Sequence, residues 1–543
     1  MSVNTYFLGT RRRVGMAAWL LMFMFLLLET TMAQAPDPLK YHVDRSLYRK
    51  AYGVLANEHL MYPIDQGDWP VKIDGSRQLF IDDYLIASMT NVTRQVHEAR
   101  KHPANPLVGP DRPWEGAGRH GLAGYGCVFQ HVLWDDEGKR FRMWYGGRTG
   151  FITLPSGTRV RQPTCYAEST DGLTWVKPNL GVCEYDGSKA NNIVILTGGL
   201  FAIFDEPDAP DPSRRFKALV WHDWHDSKPV PPEGYYLFSS PDGIHWKQDR
   251  ADPVLWSHNR QQPGIGDTST ARWDARLGKY ICDAKILFRN PTMRSRGMLE
   301  SDDLIHWSRP RMTFYPDALD AADTQIYGHV GFVYESMWVG MMRVMHTERV
   351  PNSYKQTTIE LTASRDGRHW SRVGRREEFI ALGEPGSWDP HYHDPHTPPI
   401  RVGDELWFYY RSAPTIAPKS DPRSQRKRIS RIGLATLRRD GFVSLNASRA
   451  TGLVVTRPLT FNGTALYVNA EVGRGGHVKA EIRNAAGQAV RPYVMFACRP
   501  VTGDVLEGRI SWADQSDIAR PADQSLRIAF ELKNARLYSF WFE

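Results

Sequence analysis

The chain has 543 residues, a length that fits more than one domain. Hydrophobic residues make up 41% and charged residues 24%, which is enough apolar content for a packed core and excludes a disordered chain. The net charge is +8, but the basic residues are scattered, so the composition indicates solubility and predicts no nucleic-acid partner.

Residues 1–35 have the pattern of a secretory signal peptide. Arg11, Arg12 and Arg13 precede an apolar run from Val14 to Leu28, and Ala33-Gln34-Ala35 supplies the small residues of a cleavage site. The run is short for a membrane span, and an uncleaved anchor is the alternative. We therefore expect a secreted or periplasmic protein with no stable membrane span after cleavage.

One seven-residue pattern occurs four times. The copies are STDGLTW (169–175), SPDGIHW (240–246), SDDLIHW (301–307) and SRDGRHW (364–370), and their Trp residues are separated by 71, 61 and 63 positions. Asp-Gly is a strong turn signal, and Ser and Asp side chains can bond backbone amides inside a turn. Since the same turn motif recurs at intervals of 61 to 71 residues, we interpret it as architectural rather than as a sugar or metal site.

Short β-branched and aromatic segments flank each copy, and helical periodicity is scarce between them. This pattern predicts about four antiparallel strands per unit. A degenerate fifth unit is present in DELWFYYRS (404–412) and RIGLATLRRDGFVSL (431–445). The fold class is therefore all-β, with a five-bladed β-propeller over 78–447.

The alternating runs after Gly452, such as TALYVNAEV, SLRIAFEL and RLYSFWF, predict a C-terminal β-sandwich over 452–543. The five cysteines are too few and too widely spaced for a disulfide framework or a cysteine zinc site.

A secreted five-bladed propeller with S-x-D-[GL]-x-x-W turns and a terminal sandwich resembles glycoside hydrolase families 32 and 43. It is more closely similar to exported proteins described as glycosyl hydrolase family 32-like. The resemblance is carried by these stretches: QLFIDDYLI (78–86), KHPANPLV (101–108), FRMWYGG (141–147), YAESTDGLTWVKPNLG (166–181), RIGLATLRRDGFVSL (431–445) and ARLYSFWFE (535–543). It implies a propeller that cleaves glycosidic bonds.

In those families, carboxylates on the inner strands of the first three blades act as base or nucleophile, stabiliser and acid. This chain departs from that pattern, because GYGCVF (124–129) has Tyr125 at the first position and the second blade offers only Asp205. Acids instead open the later blades: Asp267 the third, Asp323 the fourth, and Asp389 and Asp394 the fifth.

We expect Asp267, Asp323 and Asp389 to be catalytic and to converge on the propeller axis. Capping of a turn is the alternative for each of them. Asp82 and Asp83 are further catalytic candidates, although a closing strand or turn is the favoured interpretation of their segment.

Five residues are candidates for substrate binding. Trp144, Tyr145 and Arg148 could stack on a sugar ring or bond its hydroxyls, although packing is the favoured interpretation of Trp144, and Arg343 could hold an anionic substituent. His393 is the fifth. His391, His393 and His396 are spaced so that a metal could join them, but solvated or hydrogen-bonded histidines are favoured in such a loop, as for His222 and His225. No metal and no cofactor are expected. The basic run RSQRKRISR (423–431) is a solvated loop or a site for an acidic glycan.

The function that the sequence favours is an exported glycoside hydrolase acting on a poly- or oligosaccharide, including an anionic one. Asp267, Asp323 and Asp389 would supply the acid, the base and the stabiliser in an undetermined order. A catalytically inactive carbohydrate-binding propeller is the alternative. A lyase or a sialidase-like enzyme is the third hypothesis, although the turn motif lacks one residue of the sialidase Asp-box.

Overall fold

The structure is a computed structural model that describes residues 70–116, 126–148, 152–153, 159–160, 162–222, 232–257, 265–289, 292–317, 319–347, 355–413, 429–519 and 524–543. The regular elements in these ranges are β-strands, with short 3₁₀ turns at Pro113–Glu115, Pro212–Arg214 and Met495–Ala497. The expected signal peptide lies outside the described residues.

Five short strands come first, before any blade. They are β1 (Val71–Lys72), β2 (Gln78–Leu79), β3 (Ile86–Thr90), β4 (Thr93–Val96) and β5 (Arg100–Lys101).

The first two blades are antiparallel meanders. Blade 1 contains β6 (Gly126–Asp135), β7 (Arg140–Arg148), β10 (Thr164–Ser169) and β11 (Ile193–Ile195), and β8 (Ile152–Thr153) pairs with β9 (Arg159–Val160) as a separate ribbon. Blade 2 contains β12 (Gly199–Asp205), β13 (Phe216–His222), β14 (Gly234–Ser240), β15 (Lys247–Gln248) and β16 (Leu255–Trp256).

The next three blades repeat the arrangement. Blade 3 contains β17 (Thr270–Asp274), β18 (Lys279–Arg289), β19 (Thr292–Ser301) and β20 (Arg311–Phe314). Blade 4 contains β21 (Thr324–Tyr334), β22 (Met337–Thr347), β23 (Lys355–Ser364) and β24 (Ser371–Arg372). Blade 5 contains β25 (Tyr392–Asp394), β26 (Ile400–Val402), β27 (Glu405–Ala413) and β28 (Arg431–Arg438), with β5 as its outer strand.

These five blades close into a ring. The inner strand β12 lies against β6 and β17, β17 lies against β21, and β27 and β28 of blade 5 lie against β6. Strand β5 pairs with β28, so a segment that precedes blade 1 supplies the last strand of blade 5. The predicted five-bladed β-propeller is confirmed.

The cores of the propeller lie between neighbouring blades. Trp144 of blade 1 packs with Val220 and Tyr236 of blade 2, and Phe129 of blade 1 packs with Tyr409 of blade 5. Because each blade is covered on both faces, its strands are apolar on both faces, and β14 is buried along its whole length.

The repeated turn has one geometry in all four copies. In the first copy, Ser169 Oγ accepts from Gly172 N at 2.8 Å, Asp171 Oδ1 accepts from Thr174 N at 2.7 Å, and Trp175 Nε1 donates to Gly172 O at 3.1 Å. Gly172 has φ 72°, a left-handed conformation that glycine adopts without strain. The turn then packs on the preceding blade, where Tyr409 OH donates to Gly172 O at 2.8 Å. The motif is therefore architectural.

The C-terminal region forms a ten-stranded sheet around one core. The strands that complete it are β29 (Val443–Ala447), β30 (Gly452–Thr456), β31 (Leu459–Thr460), β32 (Leu466–Asn484), β33 (Asp504–Arg509) and β34 (Leu526–Phe542). These strands and the first four strands of the chain are hydrogen-bonded into one continuous sheet around this core, and the predicted all-β fold class is confirmed for this region as well.

The domain boundaries differ from those expected from the sequence. Residues 78–96 and 443–447 were expected in the propeller, but β2 and β29 pair with the long strand β34, β3 pairs with β30, and β4 pairs with β29. The long edges of β34 leave backbone groups that need partners, and the N-terminal strands provide them. The propeller proper therefore begins with β5 and ends with β28.

A buried carboxylate joins the two units. Asp440, which follows β28, accepts from Arg77 Nη1 at 3.0 Å, Asn469 Nδ2 at 3.0 Å and Ser539 Oγ at 2.6 Å. Its partners come from three distant parts of the chain, so the C-terminal sheet is docked on the propeller by a satisfied polar network.

Candidate active site

The propeller axis has two ends that differ in chemistry. We call the end where the inner strands begin the entry end, and the end where they finish the base. Asp267, which precedes β17, lies at the entry end, and Asp394, the last residue of β25, contacts the same group of polar side chains through Arg343. We call this group the axial cluster: Asp267, Lys285, Arg294, Tyr327, Arg343, Asp394, His396 and Arg411.

One half of the axial cluster is centred on Tyr327. Asp267, in the turn before β17, forms an ion pair with Lys285 of β18. Lys285 Nζ lies 5.8 Å from the Tyr327 ring centroid, and the guanidinium carbon of Arg294 lies 5.6 Å from it. Gly266 makes the ion pair possible, because a Cβ at that position would lie 2.1 Å from Lys285 Cε. The turn therefore depends on a residue without a side chain.

The other half is centred on Asp394. This carboxylate contacts Arg343, accepts from Tyr392 OH at 3.2 Å and lies 2.9 Å from His396 Nε2. Arg411 Nη1 lies 3.7 Å from Asp394 Oδ2. The Arg343 guanidinium also lies 4.7 Å from the Tyr327 ring centroid, which connects the two halves.

Positive charge exceeds negative charge in the axial cluster. Four cations, Lys285, Arg294, Arg343 and Arg411, face the two carboxylates Asp267 and Asp394. Burial, with the cations Arg343, Arg411 and Arg296, holds the pKa of His396 well below its usual value. His396 is therefore neutral at pH 7 and adds no positive charge.

Burial also shifts the pKa values of Lys285 and Tyr327, in the half of the axial cluster that is centred on Tyr327. It lowers the pKa of the Lys285 ammonium, although the neighbouring Asp267 opposes this shift. Burial raises the pKa of the Tyr327 hydroxyl, and the nearby Tyr392 and Asp267 raise it further. Tyr327 is thus a neutral hydrogen-bonding group at pH 7.

The three acids expected to be catalytic occupy different environments. Asp267 is accessible, with 55% of its side chain exposed, and Asp323, before β21, is half-buried. Asp389 is buried, lies 2.6 Å from Lys101 Nζ and accepts from Tyr410 OH at 3.1 Å. It therefore ties β5 to blade 5, and Asp394 is the acid that blade 5 contributes to the axial cluster.

The expected substrate-binding residues also separate. Arg343 is in the axial cluster. Trp144 is buried and donates from Nε1 to Gly243 O at 2.8 Å, and Tyr145 is buried and donates to Glu115 Oε1 at 2.5 Å. His393 is buried, and its Nε2 lies 2.9 Å from Ala381 O. These last three side chains hold the blades together and do not line the cluster.

Arg148 is the last residue of β7, and its side chain lies outside the described part of the structure, as does His225. Asp82 is ion-paired with Arg365 Nη2 at 2.8 Å, and Asp83 with Arg94 Nη2 at 2.5 Å, which places both acids in the N-terminal turn. Of the basic run 423–431, only 429–431 is described.

Sequence reasoning missed Lys285, Arg294, Tyr327 and Arg411. One signal could have indicated the first of these, because KYICDAKILFR places Asp283 and Lys285 in an otherwise apolar strand. A charged residue in a strand that is covered on both faces needs a partner, and here the partner is Asp267.

Within the described ranges, no group of three or more His, Cys, Asp or Glu side chains is placed to hold a metal ion. In those same ranges, no helix is long and apolar enough to cross a membrane.

No family model and no curated protein matches this chain. Similar solved structures include an N-acetylgalactosamine deacetylase from F. plautii, at 16% identity and a TM-score of 0.37 over 64% of this chain and 95% of that chain. They also include a GH32 β-fructofuranosidase from Bombyx mori, at 9% identity and a TM-score of 0.37 over 81% and 94%. An exo-inulinase from Aspergillus awamori is similar at 11% identity and a TM-score of 0.37 over 80% and 99%.

Proposed function

We propose that this chain is an exported enzyme that cleaves glycosidic bonds in an anionic poly- or oligosaccharide, with the axial cluster as its active site. The observation that carries the proposal is the accessible carboxylate of Asp267, paired with the buried Lys285, inside a group of guanidinium cations.

Glycosidic cleavage needs one group that protonates the leaving oxygen and an ionised carboxylate that attacks carbon or activates water. The Lys285 ammonium favours the ionised form of Asp267, which suits a base or a nucleophile and not a proton donor. Asp323 opens the neighbouring blade and is half-buried, so it is our candidate for the proton donor. Asp394 is buried against Arg343 and His396 and would position them.

The anionic character of the substrate follows from the excess of cations. Arg294 donates from Nη1 to Gln325 Oε1 at 2.5 Å, but its buried Nε has no hydrogen-bond partner among the described residues. A carboxylate or sulfate on the sugar would satisfy such a donor and offset the excess charge.

A carbohydrate-binding propeller without catalysis is the second candidate, and a specific observation favours it. Both Asp389 and Asp394 are buried in ion pairs, which leaves Asp267 and Asp323 as the blade-opening acids with exposed surface. A propeller that bound the saccharide at Asp267 and the cations would need no second acid.

A substrate panel with reducing-end detection tests the proposal. Polygalacturonate, alginate and chondroitin sulfate would be compared with inulin, arabinan and xylan, using the wild type and Asp267→Asn. We expect new reducing ends from at least one anionic polymer and their loss in the variant. Cleavage of neutral polymers alone would contradict the anionic substrate, and saturable binding without cleavage would favour the second candidate.

Export is tested on the mature protein. Cleavage after Ala33 or Ala35 would give an N-terminus at residue 34 or 36 in a mass spectrum of the secreted or periplasmic fraction. A soluble cytosolic species that begins at Met1 would contradict export.

A further inference from the structure

The base of the propeller holds a cavity of about 770 Å³, at the end of the axis opposite Asp267. The ends of the inner strands of blades 1, 2, 3 and 5 line it. A volume of this size matches the pockets that hold small organic ligands. Its side chains are absent from the active site proposed above, except for His396, which lies at the junction.

Two tryptophans line this cavity, and both are partly exposed to solvent. Trp134 of β6 is 36% exposed and Trp273 of β17 is 50% exposed. Exposed indoles are rare on a soluble protein unless they contact something, because their burial is favourable.

Both indoles are held in place by an aromatic residue on the next strand. Trp134 is paired in register with Phe141, with ring centroids 4.8 Å apart, and Trp273 with Tyr280, with centroids 4.9 Å apart. The sequence repeats this arrangement in WDDEGKRF (134–141) and WDARLGKY (273–280), where the aromatic residue follows the Trp by the same spacing. A fixed ring loses little conformational entropy when it binds a ligand.

Hydrogen-bond acceptors accompany the two rings. Asp205, Glu206 and Asp208, at the end of β12 and just after it, line the cavity. The one lysine or arginine among the lining residues, Arg272, is already paired with Asp283 at 2.7 Å. Asp205 is ion-paired with Arg215 at 2.8 Å and Glu206 with Lys217 at 2.6 Å, and neither cation lines the cavity. The cavity therefore offers Asp208 and the remaining lone pairs of Asp205 and Glu206 to hydroxyl donors, and its one lining cation is not available to an anionic ligand.

A buried nitrogen lines the inner part of the cavity. His396 exposes only 6% of its side chain, and its Nδ1 has no hydrogen-bond partner among the described residues. Nε2 lies 2.9 Å from Asp394 Oδ1, so Nδ1 is the ring nitrogen that is left for a ligand.

We propose that the base cavity is a second binding site, for a neutral saccharide. The apolar face of a sugar ring would stack on Trp134 or Trp273, and its hydroxyls would donate to Asp205 and Asp208. A saccharide has both an apolar face and several hydroxyl donors, which matches two indoles beside carboxylates. A proline-rich peptide would use the rings but has few donors for the carboxylates. The site does not depend on whether the axial cluster cleaves a bond.

The test uses the full chain carrying Asp267→Asn, so that a probe is not consumed. Cellohexaose, xylohexaose, mannohexaose and inulohexaose would be titrated with calorimetric detection. We expect at least one to bind, and Trp273→Ala and Trp134→Ala to weaken it about tenfold each, the size expected for loss of a stacked ring. Trp273→Phe, which keeps an aromatic face, should weaken it less.

Phe496→Ala is the matched control, because Phe496 is 82% exposed and lies in the C-terminal region. Its binding should equal that of the parent. Unchanged binding in both Trp variants, or no binding of any of the four probes, would overturn the proposal, as would binding of a proline-rich peptide at this site with no saccharide bound. In the wild-type background, cleavage by the axial cluster should persist in Trp273→Ala, which separates failure of the base site from failure of the proposed function.

Discussion

The two ends of the propeller axis are built from the same inner strands but have opposite chemistry. At the entry end, cations from β18, β19, β22 and β27 surround Asp267 and Asp394. At the base, three carboxylates and two exposed tryptophans border a cavity. The repeated strands and turns keep the blades together at both ends, so the side chains at the strand ends are free to differ.

One ion pair at the entry end and one at the base differ in how far they are buried. The Arg343–Asp394 pair has 3% exposure on each side chain, whereas the Arg215–Asp205 pair beside the cavity has 26% on each. A buried charge that loses its partner is costly, but a solvated one is not. Loss of the Arg343–Asp394 pair should therefore lower the free energy of unfolding much more than loss of the Arg215–Asp205 pair.

The largest effect is expected for Arg343→Met. It leaves the buried Asp394 without its main partner and should lower the free energy of unfolding by about 3–5 kcal/mol. Chemical denaturation of the purified variant would measure this. Arg343→Met/Asp394→Asn should recover part of the loss, and an unchanged midpoint for the single variant would show that the pair is not buried in solution.

Asp267→Asn should cut turnover about a hundredfold or more, the usual contribution of a general base. The matched control is Asp302→Asn, because Asp302 is also an exposed aspartate that pairs with a lysine of β18, at 2.5 Å from Lys279 Nζ. Its turnover should stay at the wild-type level. Equal activity in the two variants would remove Asp267 from the catalytic role.

Protonation of His131, which lines the base cavity, should lower the free energy of unfolding. Burial, with His396 nearby, lowers the pKa of His131 to about 3. The unfolded chain, with an ordinary histidine, takes up the proton first, so this stability is complete above about pH 6.5 and is lost as pH falls towards 3. We expect a loss on the order of 1 kcal/mol between pH 6.5 and 5.5.

Urea denaturation of the wild type and His131→Gln across this range would isolate the contribution of His131, since other groups titrate in both proteins. The difference in unfolding free energy between them should narrow or change sign as the pH falls. Parallel pH profiles would show that His131 is solvated.

The smallest effect is expected for Arg215→Met at the base. The Arg215–Asp205 pair is partly solvated, so its loss should change the unfolding free energy by less than about 1 kcal/mol. If Arg215→Met lowered the free energy of unfolding as much as Arg343→Met, the two ion pairs would not differ in burial in solution.

Much of the fold could be predicted because its signals are local. In S-x-D-G-x-x-W, the Ser and Asp oxygens bond amides two or three residues away, and Gly172 adopts a φ that few residues tolerate. Repetition of that turn at intervals of 61 to 71 residues then indicates blades. The domain boundaries were predicted wrongly because they depend on contacts between distant segments. Nothing in the local sequence of β2 indicates that it pairs with β34.

The candidate site was only partly predictable. The propeller and the acids near the starts of the later blades, Asp267, Asp323, Asp389 and Asp394, could be predicted from the sequence, whereas Tyr125 of the first blade lies outside the described residues. The contacts of Asp389 with Lys101 and of Asp394 with Arg343, and the burial of Trp144 between blades, became evident from the structure alone. The physical reason is that the burial and charge of a side chain are set by neighbours far along the chain, which no local pattern records.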